Sequence, residues 1–111
     1  ISAYVSAKEQ TVYCGTKGGI SMLTKALSQV LAPHGIRINA VLPGAILTDM
    51  SANLVEVGSP MRSYYEGRIP LGRIGEPSEI AGPVAFLLSD DASYVTSAEL
   101  LVDGGFIVAA E

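Results

Sequence analysis

Tyr13 and Lys17 stand four residues apart in a stretch whose apolar residues recur at helical spacing. On a helix, two such positions lie about 40° apart around the axis and roughly 6 Å apart along it, so their side chains share a face. A phenol beside an ammonium is a usable acid/base pair. A free phenol titrates near 10, and bringing it into range as a base at neutral pH takes roughly 3–4 kcal/mol of preferential stabilisation of the phenolate. One cation at about 5 Å, at an effective dielectric near 20, offers about 3 kcal/mol. A single lysine can therefore supply most of what the chemistry needs. The plainer alternative is a tyrosine at the edge of a core beside a solvated lysine. No His, Cys, Asp and Glu grouping has metal-ligand spacing, so no metal is expected. Cys14 reads as a small buried filler, and His34, just before Gly35, as an exposed helix-terminal residue.

The elements that must position this pair follow from period and punctuation. Tyr13, Ile20, Leu23, Leu27, Val30 and Leu31 predict a long helix from Thr11 to Ala32, stopped by Pro33-His34-Gly35. Gly15, Gly18 and Gly19 each cost that helix roughly 1 kcal/mol against alanine, which points to a face packed closely on something. Ile36 to Leu42 is short, rich in branched residues and bounded by Gly35 and Pro43-Gly44; it reads as a strand buried on both faces. A short helix is expected near Asp49 to Val55, and another from Pro60 to Arg68 with the proline in its first turn. Pro70 to Gly75 reads as a loop. Glu76-Pro77-Ser78-Glu79 opens a helix running to Ser89, and Leu100 to Val102 forms a strand closed by Asp103-Gly104-Gly105. Helix, strand, helices, strand is a βαβ crossover preceded by a helix, hence α/β with parallel strands.

Five motifs occur in order along the whole chain: Tyr13-Cys14-Gly15-Thr16-Lys17, Asn39-Ala40-Val41-Leu42-Pro43-Gly44, Thr48-Asp49-Met50, Arg73-Ile74-Gly75-Glu76-Pro77-Ser78-Glu79, and Val102-Asp103-Gly104-Gly105. In this the sequence resembles the classical short-chain dehydrogenase/reductases. The resemblance implies the C-terminal part of a doubly wound, parallel-sheet Rossmann-type fold that binds NAD or NADP, with the N-terminal nucleotide-binding half absent from this chain. It implies that Tyr13 exchanges a proton with a substrate hydroxyl or carbonyl. Lys17 would hold the nicotinamide ribose and favour the Tyr13 phenolate. Pro43-Gly44 would turn beneath the nicotinamide, with Ile46 and Thr48 binding its carboxamide through backbone and side chain respectively. The same stretch of the family, here around Tyr64 and Tyr65, covers the substrate; packing on the domain is the alternative role for these two tyrosines. Asp103-Gly104-Gly105 reads as structural, ending the last strand and starting a tail used in subunit contacts.

The sequence departs from the family in three ways. The family's serine, thirteen residues before the tyrosine, has no counterpart, and Ser2 and Ser6 stand at the wrong spacing. The family's asparagine on the preceding helix and its glycine-rich phosphate loop are also missing. Ser97 stands where the family has glycine after Thr96. The 111 residues are 49% apolar and 16% charged, which excludes disorder. A net charge of -4 without a Lys/Arg cluster argues against nucleic acid, and no apolar run is long enough for a membrane span. A lone cysteine and no signal peptide fit a reducing, cytoplasmic setting. The expected activity is hydride transfer between NAD(P) and a small alcohol or ketone of sugar, polyol or 3-oxoacyl type, in a homotetramer or homodimer. The alternative is a non-catalytic remnant serving as an oligomerisation module. Taken alone, the chain is expected to be inactive. Epimerases and dehydratases of the extended family share Tyr-x-x-x-Lys, but the short distance to Val102-Asp103-Gly104-Gly105 leaves no room for their larger substrate domain.

Overall fold

A computed structural model describes residues 1–5 and 8–109. Ser6, set aside above on its spacing, lies outside the described residues. Helix α1 spans Thr11–Leu31 and tightens into a 3-10 turn over Ala32–His34. Gly35 ends it in the left-handed region at φ 72°, which a residue with a Cβ adopts only at a cost. His34 is exposed on that turn, as expected. Cys14 is only half-buried rather than a core filler, with its thiol 3.7 Å from the Val5 carbonyl oxygen.

Much of the apolar stripe of α1 is uncovered in this chain. Ile20, Leu23 and Val30 are exposed, whereas the buried positions are Thr24 and Ser28. Burial is tolerated there because each hydroxyl is satisfied by its own helix: Thr24 donates to Ile20 O at 2.9 Å and Ser28 to Lys25 O at 2.7 Å. The described chain puts no apolar layer against the stripe. A Cβ at Gly15, Gly18 or Gly19 would meet no atom within 4 Å, so these glycines have no close neighbour among the described residues.

Strand β1 is Ala40–Pro43 and pairs in parallel with β2, Glu99–Val102, in the register Ala40 to Glu99 through Pro43 to Val102. β1 starts four residues later than its composition suggests. Upstream, Ser97 N–H still donates to Ile38 O at 2.7 Å, and side chains add to it: Arg37 donates to Val95 O at 3.1 Å and Ser89 O at 3.2 Å. Ile38 N–H reaches Thr96 Oγ1 at 3.2 Å. Asn39 donates to Val95 O and accepts from Ala98 N–H, both at 3.0 Å. Within β1 only Leu42 is buried, so the strand is not covered on both faces as expected; its neighbour in the sheet is β2 alone.

The crossover carries α2, Pro60–Arg68, and α3, Pro77–Leu88. Ser59 caps α2, accepting the Arg62 N–H at 3.1 Å, and Arg62 pairs with Glu66 one turn on at 2.8 Å. At the start of α3 the Glu79 carboxylate accepts from Glu76 N–H at 2.8 Å and takes the Arg73 guanidinium in a two-pronged contact at 2.6 and 2.7 Å. The helix expected near Asp49 to Val55 is a series of turns instead. Ser51 organises them: its hydroxyl accepts Thr48 N–H at 2.9 Å and donates to Ile46 O at 2.7 Å, the local competition that keeps serine out of helices. Val55, Ile69, Ile74 and Phe106 form the buried cluster, with Ile1, Val5, Ala45, Leu47 and Tyr65 packed on it. The core is therefore built from loops and the end of α2, not from α1.

Candidate active site

An open cleft of about 860 Å³ lies between the N-terminal half of α1 and β1. Tyr13 and Lys17 line it from α1, and Pro43 and Gly44 from the end of β1. The helix places the pair on one face as its spacing requires, with Lys17 Nζ 5.2 Å from the centroid of the Tyr13 ring. Tyr13 is 48% exposed, so its phenol is reachable from solvent. The described ion pairs join Lys25 to Glu99, Arg62 to Glu66 and Arg73 to Glu79, and none of them engages Lys17. Its ammonium is therefore not neutralised by a described carboxylate.

Gly44 is where the two strands' ends close. A Cβ there would lie 2.6 Å from Asp103 Cα, so a larger residue would push β1 and β2 apart. Asp103 is fully occupied in shaping the chain: its carboxylate accepts Gly105 N–H and Ile107 N–H, both at 2.9 Å. Gly104 at φ 64° and Gly105 at φ 89° allow the turn that this cap needs. The motif thus ends β2 and turns the chain.

Ile46 and Thr48 do not line the cleft with the other four. Ile46 forms a parallel bridge to Gly75 and borders a separate small pocket of about 100 Å³. The Thr48 hydroxyl lies 3.3 Å from Ser51 Oγ. Leu47 N–H donates to Gly75 O and Gly75 N–H to Ala45 O, while the Ile46 N–H meets no acceptor among the described residues. The two tyrosines of α2 differ in surroundings. Tyr64 is exposed, under the Arg68 guanidinium, which sits 5.4 Å from its ring centroid. Tyr65 packs on the core, 5.8 Å from Phe106 between ring centroids, and lines the cleft together with Met50.

Residue types reveal none of the Glu99 cluster. Tyr4 and Ser21 each donate a short hydrogen bond to its carboxylate, and Lys25 Nζ lies 2.7 Å from Oε2. Lys25 first, and then Tyr4, hold the Glu99 carboxyl below its usual range. The available signal was a lone acid in an apolar strand. Ser97 adopts φ 62°, the one left-handed non-glycine among the described residues, where the sequence departs from glycine.

The residues present suit the nicotinamide end of a dinucleotide. An unneutralised cation and an exposed phenol flank a cleft large enough for a ring and ribose, while the unused Ile46 N–H stands outside it. No glycine-rich phosphate loop is among these 111 residues.

Comparison with known proteins agrees. A family profile described as enoyl-(acyl carrier protein) reductase matches residues 1–107. An L-rhamnose 1-dehydrogenase (NAD(P)(+)) of Sphingomonas sp. strain SKA58 is 49% identical over 108 residues, covering 97% of this chain and 42% of that protein. The 3-oxoacyl-[acyl-carrier-protein] reductase of Aquifex aeolicus is 46% identical over 96 residues, covering 86% of this chain and 38% of that protein. Among solved structures, a candidate NAD(P)-dependent gluconate 5-dehydrogenase of Beutenbergia cavernae with bound NADP superposes with a TM-score of 0.91 at 33% identity, over 97% of this chain and 43% of that one. The chain thus spans about two fifths of the length of the relatives it matches.

Proposed function

Since the chain belongs to the short-chain dehydrogenase/reductase family, we propose that the whole protein is an NAD(P)-dependent oxidoreductase acting on a small alcohol or ketone of sugar or polyol type. One observation carries the reading: an exposed phenol and an unneutralised lysine share the rim of a cleft that Pro43 and Gly44 border. The relative active on L-rhamnose, at 49% identity, supports the sugar class over the acyl one.

When bound, NAD(P) supplies or accepts the hydride. Tyr13 holds and moves the proton at the substrate oxygen, taking it as the alcohol is oxidised and returning it as the ketone is reduced. Lys17 favours the phenolate by its charge and anchors the ribose hydroxyls. Pro43 and Gly44 give the nicotinamide a wall that a side chain at position 44 would distort. The Ile46 N–H and the Thr48 hydroxyl are the groups proposed for the carboxamide. The outward apolar stripe of α1 supports contact between copies, with a homotetramer first and a homodimer second. The lone Cys14 supports a reducing, cytoplasmic setting.

The test is Tyr13→Phe in the whole protein, which removes the proton but keeps the ring. General acid/base groups contribute about 100- to 10,000-fold, and a kcat loss of that order with cofactor affinity retained is expected. A variant retaining parental kcat would refute the assignment.

A further inference from the structure

The side-chain bonds that tie α1 to the sheet all end on one residue. Among the described residues, Thr16, Thr24 and Ser28 donate back to their own helix, and only Ser21 and Lys25 reach a strand. Both reach Glu99: Ser21 binds Oε1, while Lys25 and Tyr4 meet Oε2. Ser21 and Lys25 are one turn apart, so a single carboxylate grips one face of α1 at two points. The Glu99 side chain is 11% exposed against 42% for Lys25, so solvent screens the contact less on the carboxylate side.

We propose that Glu99 is a positioning residue for the Tyr13–Lys17 pair, fixing how far α1 slides along the sheet and hence where Tyr13 stands relative to Pro43 and Gly44. Two lengths support this. From Ser21 back to Tyr13 is eight residues, about 12 Å along a helix. From Glu99 on to Asp103 is four residues, about 13 Å along a strand. Asp103 is the residue against which Gly44 closes. The two legs start from the Glu99 contact and are nearly equal, which brings Tyr13 level with Gly44. The cleft lining agrees: Tyr13, Lys17, Ile20 and Ser21 form one wall and residues 40–45 the other. Without this grip the inward hydroxyls of α1 offer no directional contact to hold its register. A slip of one turn is about 5.4 Å, enough to remove Tyr13 from the site.

The inference rests on Tyr13 being the proton carrier, so the experiment has one arm that reads chemistry and one that does not. In the whole enzyme, Glu99→Gln keeps an acceptor for Ser21 and Tyr4 but loses the charge, and Lys25→Met removes the cation. Lys25 is partly exposed, so its variant keeps the test open if the glutamine variant fails to fold. A misplacement of about 1 Å costs up to about 100-fold, and a fall of about tenfold in kcat per cofactor-binding site is expected for each variant. Faster amide exchange across Thr11 to Lys17 is expected alongside it. The charge-reversed pair, Glu99→Lys with Lys25→Glu, should recover most of the kcat. A role in folding alone would lower the number of binding sites but leave kcat per site unchanged. Single variants within about twofold of the parent per site, or a reversed pair no better than either single variant, overturn the proposal. If Tyr13→Phe proves fully active, the chemical reading fails; the exchange arm then decides for or against the latch, and unchanged protection of α1 rejects it.

Discussion

Expressing residues 1–111 alone should give a chain that binds no NAD(P), has no dehydrogenase activity, and aggregates or stays partly unfolded. The size of the effect follows from the surface. A compact protein of 11.5 kDa exposes about 5,800 Å². This chain exposes 7450 Å² and has a radius of gyration of 15.5 Å, where a compact domain of its length has about 13 Å. The excess is roughly 1,600 Å². If half is apolar, leaving it in water forfeits roughly 20 kcal/mol at about 25 cal/mol per Å². Whole domains are stable by only about 5–15 kcal/mol. The exposed Ile20, Leu23 and Val30 of α1, and a sheet of only two strands, show where that surface lies. Sedimentation, thermal unfolding by circular dichroism, and titration with NADP and NAD check it. A monomer with one cooperative unfolding transition, or saturable cofactor binding, would refute the reasoning.

Lys17→Met in the whole enzyme should weaken cofactor binding and lower turnover, because the ribose loses its anchor; unchanged cofactor affinity contradicts the role given to Lys17. Ser97→Gly should relieve a left-handed backbone and stabilise the whole protein by about 1 kcal/mol, or about 2–4 °C in Tm; a lower Tm would show that the serine side chain compensates. Arg73 first, and then the Glu76 N–H, hold the Glu79 carboxyl down from the usual 4.5 to about 2. The stability this gives is present above about pH 4.5 and is lost as pH falls toward 2. Glu79→Gln should therefore flatten the acid limb of Tm against pH, and parallel curves would show that the pair contributes nothing. Light scattering of the whole protein should report a tetramer, or failing that a dimer; a monomer at micromolar concentration overturns the assembly.

What was legible in the sequence was whatever local chemistry decides. Pro60 and Glu76-Pro77-Ser78-Glu79 announce α2 and α3 because prolines and acids at a helix start act within a turn, whereas the Ser59 cap emerges only from the structure. Gly44 and Asp103-Gly104-Gly105 mark the strand ends because only glycine fits the approach and the positive φ there. Tyr13 and Lys17 fall together because helix geometry alone places them. What was not legible depends on tertiary partners. The apolar spacing of α1 gives a stripe but not the side from which it is covered, and in this chain it faces out. Arg37 and Asn39 look like strand residues, yet they lie before β1 and their side chains reach Val95, more than fifty positions away. The Asp49 to Val55 turns depend on which hydrogen bond Ser51 prefers, a choice that composition leaves open.

The inward face of α1 has a consequence for how this sequence can drift. Among the described residues, Thr24 and Ser28 hold no directional bond to anything outside their own helix. Alanine, cysteine or valine at position 24 and alanine at position 28 would keep the fit while losing a bond of little net worth, so a saturation library should tolerate them. Positions 21, 25 and 99 are different, since each side chain completes another's contact. Replacing any one alone leaves a half-buried carboxylate short of a partner or a cation facing an apolar strand. Accepted changes at these three sites should therefore arrive in coordinated sets, and covariation should link 25 with 99 while 24 and 28 vary independently of both.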